Sequence, residues 1–328
     1  MLQTASSSES QAGRKLSVGL ASSAGQVREA QRLRYRVFVE EMGARLNTPE
    51  AGLDVDIFDA WCDHLLVRDE ISNEVVGTYR ILPPHQAKRI GSLYSESEFD
   101  LTRLANLRQR MVEVGRSCVH PDYRNGGTIT LLWAGLAEYM LKNGYDYLIG
   151  CASISMTDGG HAAASIYRQA SARHLGPIEW RVFPRCPLPL AALEQQDLEA
   201  ALPPLIKGYL RIGAYVCGEP AWDPDFNTAD VLVTVPLSNV DRDEVVLGEP
   251  MGSVHDQSRH RGHVRSRGNH HMTRFAEPVV ETLSLERGQT GKGAPRAGVE
   301  GRRTTLLSAG GRIVLEHHDL GAVGLPLP

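Results

Sequence analysis

The sequence predicts one α/β domain built on a mixed, mostly antiparallel sheet flanked by helices. Between residues 15 and 237, short apolar runs typical of strands alternate with longer runs of helical spacing, without an internal repeat or a clear linker. The hydrophobic content of 42% and the charged content of 23% are ordinary for a globular protein. No run approaches the roughly 18–20 apolar residues of a membrane-spanning helix, and the first residues lack the apolar core of a secretory signal.

Each predicted element rests on a local pattern. Ser23 with Gln26 is a capping-box pattern in front of a helix, and Gly43 is a suitable C-terminal stop for that helix. Pro83 ends a strand because proline removes a ladder donor, and Gly144 ends a second long helix. The predicted strands cover residues 15–21, 64–69, 74–82, 111–119, 145–154, 179–184, 214–222 and 230–236. The predicted helices cover residues 26–43, 128–144, 161–176 and 203–213, with an acidic loop at 51–63 and mixed short structure at 85–109.

Charged residues are distributed unevenly along the chain. Residues 251–328 carry 11 Lys or Arg and 7 Asp or Glu, a net charge of about +4, and they hold seven of the twelve histidines. Such Arg-, His- and Gly-rich sequence buries too little apolar surface to offset the entropy of ordering it. We therefore expect a flexible N-terminus at 1–14, a domain at 15–248 and a poorly ordered tail at 249–328. The tail histidines have no fixed spacing or carboxylate partner, so a metal site is not expected there.

The five cysteines are scattered and form no CxxC pair, which favours reduced thiols in a cytoplasmic protein. The acidic remainder of the chain argues against a dedicated nucleic-acid binder. We expect a cytoplasmic location, compatible with peripheral contact with the inner face of the cytoplasmic membrane.

The stretch Arg124-Asn125-Gly126-Gly127-Thr128 lies between a predicted strand and a predicted helix. A Gly-rich turn at this place directs several backbone N–H groups at one point, and the helix dipole favours an anion there. The turn therefore predicts either a phosphate site or an ordinary structural corner.

Charged residues also interrupt apolar strands: Arg80 lies in the strand at 74–82, and Glu113 and Arg116 lie in the strand at 111–119. A charge in such a run needs a partner or a ligand, because burying it alone is costly. Structural ion pairs and a substrate site both remain open as interpretations.

A set of charged and aromatic positions then occurs in one order along the chain. It comprises Arg34-x-x-x-Phe38, Asp56-x-x-Asp59, Arg80 and Glu113-x-x-Arg116. This order resembles the autoinducer-synthase branch of the GNAT acyltransferases, the acyl-homoserine-lactone synthases and their relatives. The turn at 124–128 resembles the donor loop of that fold, although Ile129 stands where a small residue is usual. The resemblance implies a GNAT-like (acyl-CoA N-acyltransferase) domain.

Longer phrases such as AQRLRYRVFVEEMGA, FDAWCDHLLVRD and EVGRSCVHPDYRNGG resemble the ornithine N-acyltransferases of ornithine-lipid synthesis, over about residues 15–237. That family implies transfer of a (3-hydroxy)acyl group from acyl carrier protein (ACP) to the α-amine of L-ornithine, giving lyso-ornithine lipid. The amine would attack the thioester directly. The donor would be an acyl-phosphopantetheine on ACP or CoA, with ACP and ornithine as partners and no permanently bound cofactor or metal.

The resemblance also implies roles. Glu113 is the candidate base for the amine, and Arg80 and Arg116 suit the substrate carboxylate. Asp56 and Asp59 either hold the distal ammonium or lock Arg34 and Arg80 in place. Phe38 either walls the acyl tunnel or packs in the core. The donor would contact Ser117, Cys118 and Val119, which offer a backbone oxyanion donor, and the phosphate would contact Arg124, Asn125, Gly126, Gly127 and Thr128.

Two other patterns imitate catalytic sites. His64 and Asp69 spell the His-x4-Asp of glycerolipid acyltransferases, but residues five apart in a strand point to opposite faces. Cys118 with His120 imitates a thiol nucleophile, but nothing in the sequence orients the histidine and a buried thiol is the expected state. The alternatives to the ornithine assignment are an acyltransferase for another amine, such as an N-acyl amino acid or acyl-homoserine-lactone synthase, and a non-catalytic hemolysin-like membrane-active protein.

Overall fold

A computed structural model describes residues 15–193 and 198–240, together with strands at residues 302–309 and 312–319. Twelve strands and five α-helices lie within these residues. The strands are β1 (Leu16–Leu20), β2 (Asp63–Asp69), β3 (Val75–Leu82), β4 (Phe99–Asp100), β5 (Met111–Val119), β6 (Tyr147–Ser155), β7 (Phe183–Pro184), β8 (Tyr215–Val216), β9 (Ala221–Asp223), β10 (Thr228–Pro236), β11 (Arg302–Ala309) and β12 (Arg312–Asp319). The helices are α1 (Ala24–Tyr35), α2 (Pro84–Ile90), α3 (Gly127–Asn143), α4 (His161–His174) and α5 (Pro204–Arg211).

Ten of these strands form one sheet in the order β11-β12-β1-β2-β3-β5-β6-β10-β8, and β9 also pairs with β10. The described strand pairs are antiparallel except β5 with β6, which run parallel. Strands β4 and β7 form a separate two-stranded sheet. The predicted α/β fold with a mixed, mostly antiparallel sheet is confirmed.

Helices α1 and α3 cover opposite faces of the sheet, because successive strand residues point to opposite sides. Leu65 lies in the cluster that contains the buried leucines of α3, whereas its neighbour Leu66 lies in the cluster that contains Leu33 of α1. Gly135 allows α3 to approach closely, since a Cβ there would lie 3.0 Å from the Val18 side chain. The charged residues of interest lie on the α1 side.

Several boundaries differ from the expected ones. The first predicted helix continues past α1 as a π-helical turn at Arg36–Glu41, and Gly43 follows with a φ of 76°. The predicted strand at 179–184 is mostly wrong: Ile178–Trp180 forms a 3₁₀ turn and only the short β7 remains. The predicted strand at 214–222 is interrupted at Gly218, whose φ of 146° breaks the extended chain between β8 and β9.

Strands β11 and β12 come from the segment predicted to be a poorly ordered tail. They pair with each other, and β12 pairs with β1, so that β11 forms the edge of the sheet. Two short apolar runs, TTLLSA and RIVL, on either side of Gly310-Gly311 are the local signal for this hairpin, which the composition of the whole segment obscures. The expectations for residues 1–14 and for the rest of the tail lie outside the described residues, and the boundary at 248 stays a prediction. No helix in the described part of the chain has the length and apolarity to span a membrane.

Candidate active site

A cavity of about 320 Å³ opens where β5 and β6 stop pairing. The parallel pairing joins only Met111–Glu113 to Tyr147–Ile149. A β-bulge shifts the register between β3 and β5 just beyond this point, and Arg116 adopts a φ of 50° there. A positive φ is uncommon at a non-glycine residue, and the residues that adopt one often lie at functional sites. The bulge therefore turns the second half of β5 toward the cavity.

The cavity has an apolar part and a polar part. Its polar wall includes Arg80, Tyr94, Ser95, Glu113 and Arg116, and its apolar wall includes Phe38, Val114, Leu148, Leu205 and Val233. Of the predicted site residues, Phe38, Arg80, Glu113, Arg116, Ser117, Cys118, Val119 and Arg124 line this cavity. The predicted residues that do not line it are Arg34, Asp56, Asp59, Asn125, Gly126, Gly127 and Thr128.

Arg34 of α1 is 0% exposed and is held by two aspartates. Its Nε lies 2.9 Å from Asp54 Oδ2, and its Nη1 and Nη2 each donate to a different oxygen of Asp59 at 2.9 Å. Burial opposes ionisation of Asp59, but the hydrogen bonds and charge of Arg34, with the charge of Arg80, hold the pKa of Asp59 well below its usual value. The guanidinium of Arg34 is therefore engaged by two buried protein carboxylates.

Arg80 of β3 connects this pair to the cavity. Its Nη1 lies 2.7 Å from both oxygens of Asp56 and 3.3 Å from Asp59 Oδ1. Both carboxylates are thus engaged by arginines, which is the arrangement expected for the second of the two roles left open for Asp56 and Asp59. Asp59 contacts Arg34 and Arg80, and Asp56 contacts Arg80 and Arg116, so each aspartate already faces two guanidinium groups.

Arg116 makes longer contacts than the other two arginines. Its Nε lies 3.2 Å from Asp54 Oδ2 without hydrogen-bond geometry, and its Nη2 lies 3.4 Å from Asp56 Oδ2. The guanidinium carbon stands 5.0 Å from the ring centre of Tyr94 and 4.6 Å from that of Phe226. A guanidinium stacked between two rings at the cavity wall keeps donor capacity for an incoming carboxylate.

Glu113 of β5 lies at the polar end of the cavity with three donors on its carboxylate. Tyr94 N donates to Oε2 at 2.6 Å, and Ser95 donates to Oε1 from its amide and its hydroxyl. Burial raises the pKa of Glu113, and the hydrogen bonds from Ser95 and Tyr94 partly oppose that increase. The result is an oriented carboxyl group whose proton affinity is above that of an ordinary glutamate.

The predicted phosphate turn leads into α3 as expected, but its side chains are engaged elsewhere. Arg124 donates to both oxygens of Glu41, at 2.5 and 2.8 Å, and from Nε to Val119 O at 3.0 Å. Thr128 is buried with its methyl group toward Gly77, where an added Cβ would lie only 2.5 Å away. Gly126 precedes the helix with a φ of 97°. Gly127 N donates to Asn125 Oδ1 at 3.2 Å, so an anion at the backbone of residues 126–128 would have to share or displace that contact.

Neither the His64/Asp69 pattern nor the Cys118/His120 pattern forms a catalytic site in the structure. His64 Nε2 lies 3.1 Å from Asp59 O, whereas Asp69 accepts a hydrogen bond from Tyr123 on the other face of β2. Burial raises the pKa of the Cys118 thiol to about 12, so it is not a thiolate near neutral pH. His120 instead accepts a hydrogen bond from the Asp122 amide.

Sequence reasoning missed several residues of the site. Asp54 lies two residues before the recognised Asp56, in the same acidic loop. Ser95 comes from the segment expected only to be mixed, and no local pattern marks it. Asp230 interrupts the apolar strand β10 just as Arg80 interrupts β3, so the same criterion would have found it.

Comparisons with known proteins identify the family of this chain. An acetyltransferase (GNAT) domain model matches residues 33–134. An L-ornithine N(alpha)-acyltransferase of Rhizobium meliloti is 42% identical over 69% of this chain and 81% of that protein. Its counterpart in Brucella abortus is 38% identical over 69% of this chain and 85% of that protein. Among solved structures, the AHL synthase LasI matches at 14% identity with a TM-score of 0.42, covering 74% of this chain and all of that chain. The chain therefore belongs to the family of the L-ornithine N(alpha)-acyltransferases.

Proposed function

We propose that this protein transfers a (3-hydroxy)acyl group from acyl-ACP to the α-amine of L-ornithine, giving lyso-ornithine lipid. The single observation that carries the proposal is the identity of 38–42% to four proteins named for the ornithine reaction, each covered over more than four-fifths of its length. The cavity supports it, because a buried carboxyl, an arginine and an unpaired strand edge meet there.

Glu113 is the base in this proposal. Ornithine presents its α-nitrogen as an ammonium, which must lose a proton before it can attack. A pKa raised by burial brings the carboxylate closer to the working pH, where proton transfer is most effective. Oε2 carries a single hydrogen bond among those described, so it can accept a second one from the amine or from a bridging water.

We assign Arg116 to the binding of the α-carboxylate of ornithine, and Arg80 is the second arginine on the same cavity wall. A guanidinium binds a carboxylate through two parallel N–H···O bonds, which orient it as well as attract it. Arg116 stands three residues after Glu113 on the bulged part of β5, so both face the same cavity. Holding the carboxylate there places the neighbouring α-nitrogen near the base.

The donor thioester would lie along β5 at Ser117–Val119. No described residue of β6 pairs with this part of the strand, so a backbone N–H on that side can stabilise the oxyanion. The phosphate of the arm would lie at the backbone of residues 126–128, and the acyl chain at the apolar wall of the cavity. Arg124 is the charged group nearest in sequence to this turn.

The reaction needs no covalent enzyme intermediate. The amine nitrogen forms a bond to the thioester carbonyl carbon, and the carbonyl oxygen becomes the oxyanion. When the intermediate collapses, the C–S bond breaks and the thiol of the carrier leaves. The ammonium loses two protons in all: one passes through Glu113 to solvent before the attack, and the second leaves the nitrogen after the C–N bond forms and passes to the departing sulfur, so charge and protons balance.

The proposal is tested with purified protein, 3-hydroxyacyl-ACP and L-ornithine, by measuring release of free carrier thiol. Thiol release that depends on ornithine, with formation of the N-acyl product by mass spectrometry, is expected. Acyl-CoA in place of acyl-ACP identifies the donor. Activity on another amine with none on ornithine would reject the substrate and leave the acyltransferase assignment standing.

A Glu113→Gln variant tests the base. We expect kcat to fall at least about 100-fold, the lower limit for general base catalysis, because the amide cannot accept the proton. Glu138→Gln is the matched control, since Glu138 is exposed on α3 and does not line the cavity. Full activity of Glu113→Gln would remove Glu113 as the base.

A further inference from the structure

A second pair of acidic side chains lies beside the cavity, separate from the arginine-bound aspartates. Glu98 precedes β4, Asp230 lies in β10, and their carboxyl oxygens lie within 4.8 Å of each other and of Cys151 Sγ. Asp230 is 4% exposed and lines the cavity. We call Glu98 and Asp230 the carboxyl pair.

The carboxyl pair has unused hydrogen-bonding capacity. With both groups ionised, the two carboxyl oxygens of Glu98 and the Oδ1 of Asp230 are buried and have no hydrogen-bond partner among the described residues, and only a shared proton would join the two carboxyls. Buried polar atoms without partners are rare in folded proteins, because each costs the free energy of removing it from water. Asp230 lines the cavity and the Glu98 oxygens lie next to it, so three such oxygens beside the cavity point to a ligand that donates hydrogen bonds.

The carboxyl pair also lacks a cation. No Lys or Arg of the described chain forms an ion pair with Glu98 or Asp230, whereas Asp54, Asp56 and Asp59 all face arginines. Burial and the charge of Asp230 raise the pKa of Glu98 to about 9, and burial raises that of Asp230. The two carboxyls thus hold a proton more tightly than ordinary acids because no cation faces them, and a positive charge placed beside them takes the place of that proton.

Contacts connect the carboxyl pair to the proposed base. Ser95 Oγ donates to Glu113 at 2.6 Å, and Cys151 Sγ lies 3.4 Å from the same Ser95 Oγ. Cys151 in turn belongs to the cluster with Glu98 and Asp230. A substrate that places one amine at Glu113 therefore has Asp230 on the wall of the same cavity and Glu98 beside Asp230.

We propose that the carboxyl pair binds the side-chain ammonium of the acceptor amino acid and so selects a diamino acid. An ammonium has three N–H donors, which matches the three unpartnered oxygens, and its charge offsets that of the carboxyl pair. A metal ion fits less well, because it would also require Cys151 as a thiolate, and burial raises the pKa of that thiol well above its usual value. The inference rests on the proposed function, of which it names the specificity determinant.

The test compares L-ornithine with L-norvaline, which is the same molecule without the δ-amine. Wild-type protein should prefer ornithine in kcat/KM. In Glu98→Gln and Asp230→Asn the preference should fall about 10- to 100-fold, the value of hydrogen bonds to a charged group, while KM for the acyl donor stays unchanged. Glu219→Gln, an exposed glutamate outside the cavity, is the control with the same charge change. Unchanged preference in both folded variants would overturn the proposal.

A binding measurement separates this inference from the proposed function. The thermal midpoint is recorded with ornithine or norvaline and no acyl donor, together with far-UV circular dichroism of each variant. A stabilisation specific to ornithine that is lost in both variants supports the carboxyl pair even if no acyl transfer to ornithine is found. Equal shifts with the two amino acids in wild type would overturn it. So would a Zn²⁺-dependent shift that the same variants abolish while their ornithine preference persists, because that result assigns the cluster to a metal.

Discussion

Ser95 donates two hydrogen bonds to one oxygen of Glu113, from its amide at 2.8 Å and from its hydroxyl at 2.6 Å. Both bonds stabilise the charged carboxylate, in a position where burial favours the neutral acid. Ser95 thus both orients the proposed base and limits how far its pKa rises. A residue with these contacts is a positioning residue, since it acts on Glu113 rather than on the substrate.

A Ser95→Ala variant should shift the pH dependence of the reaction. Loss of the hydroxyl bond raises the pKa of Glu113 further, so the base stays protonated to higher pH. We expect the acid limb of the kcat/KM profile to move upward by about one pH unit, the effect of losing one hydrogen bond to a charged group, with activity recovering at alkaline pH. The profile is measured from pH 5.5 to 9.5.

Ser97→Ala is the control for this shift. Ser97 is exposed and bonds the backbone oxygen of Tyr94 rather than Glu113. An unshifted limb in Ser95→Ala, combined with inactivity of Glu113→Gln, would mean that the titration of Glu113 does not limit the rate.

Arg34 should matter for stability more than for substrate binding. Replacing it with methionine leaves Asp54 and Asp59 buried without their cation, and breaking a buried ion pair costs about 3–5 kcal/mol. The exposed pair of Arg28 with Glu50 is the control, for which Arg28→Met should leave the free energy of unfolding close to that of the wild type. Urea unfolding followed by tryptophan fluorescence measures both. Normal stability of Arg34→Met with a raised KM for ornithine would instead restore Arg34 to the substrate site.

The fold was largely predictable because its elements carry local patterns. The strand at 111–119 coincides with β5, and helix α3 ends at the expected Gly144. The predicted strand at 179–184 failed because its apolar residues lie between Pro177 and Pro184, which restrict it to one short pairing with β4. The hairpin of β11 and β12 was missed because the composition of a long segment was given more weight than the two short apolar runs that flank Gly310-Gly311.

The candidate site was only partly predictable, since it is assembled from distant segments. Charges inside strands identified Arg80, Glu113 and Arg116, and the cavity contains all three. Sequence alone could not decide whether Asp56 and Asp59 face a substrate or an arginine, because that depends on which side chains the register of β3 and β5 brings together. Ser95 has no sequence signal, since its role follows from one contact across 18 residues.

The ion pair of Arg124 with Glu41 should weaken donor binding if Arg124 approaches the phosphate. Glu41→Gln releases the guanidinium, and we expect KM for acyl-ACP to fall about two- to fivefold, the value of a surface ion pair. Arg124→Gln should change KM in the opposite direction. Steady-state rates at low and high salt measure both effects, which should shrink as salt screens the charges.

Glu40→Gln is the control for this prediction, because Glu40 is the exposed neighbour of Glu41 and has no described contact with Arg124. A KM for acyl-ACP that is unaffected by Glu41→Gln and by Arg124→Gln would exclude the Arg124 side chain from the donor site. The backbone of residues 126–128 would then be the remaining candidate.

Glu98 should make the free protein less stable as the pH rises. Its pKa is about 9 in the folded state, through burial and the nearby charges of Asp230 and Asp223, and about 4.5 in the unfolded chain. Between these values the folded state binds more protons than the unfolded state, so the free energy of unfolding decreases with increasing pH. Glu98→Gln removes this dependence, because the amide stays neutral throughout.

The thermal midpoint of Glu98→Gln should therefore equal that of wild type near pH 4.5 and exceed it at pH 8, without amino acid present. A difference of 1 kcal/mol corresponds to about 2–4 °C in a domain of this size, and we expect at least that much. Glu219→Gln should run parallel to wild type at every pH. A parallel curve for Glu98→Gln would mean that the carboxyl at this position ionises freely in the folded protein. A variant that is more stable and yet less selective for ornithine would show that the buried charge is kept for binding, at the expense of stability.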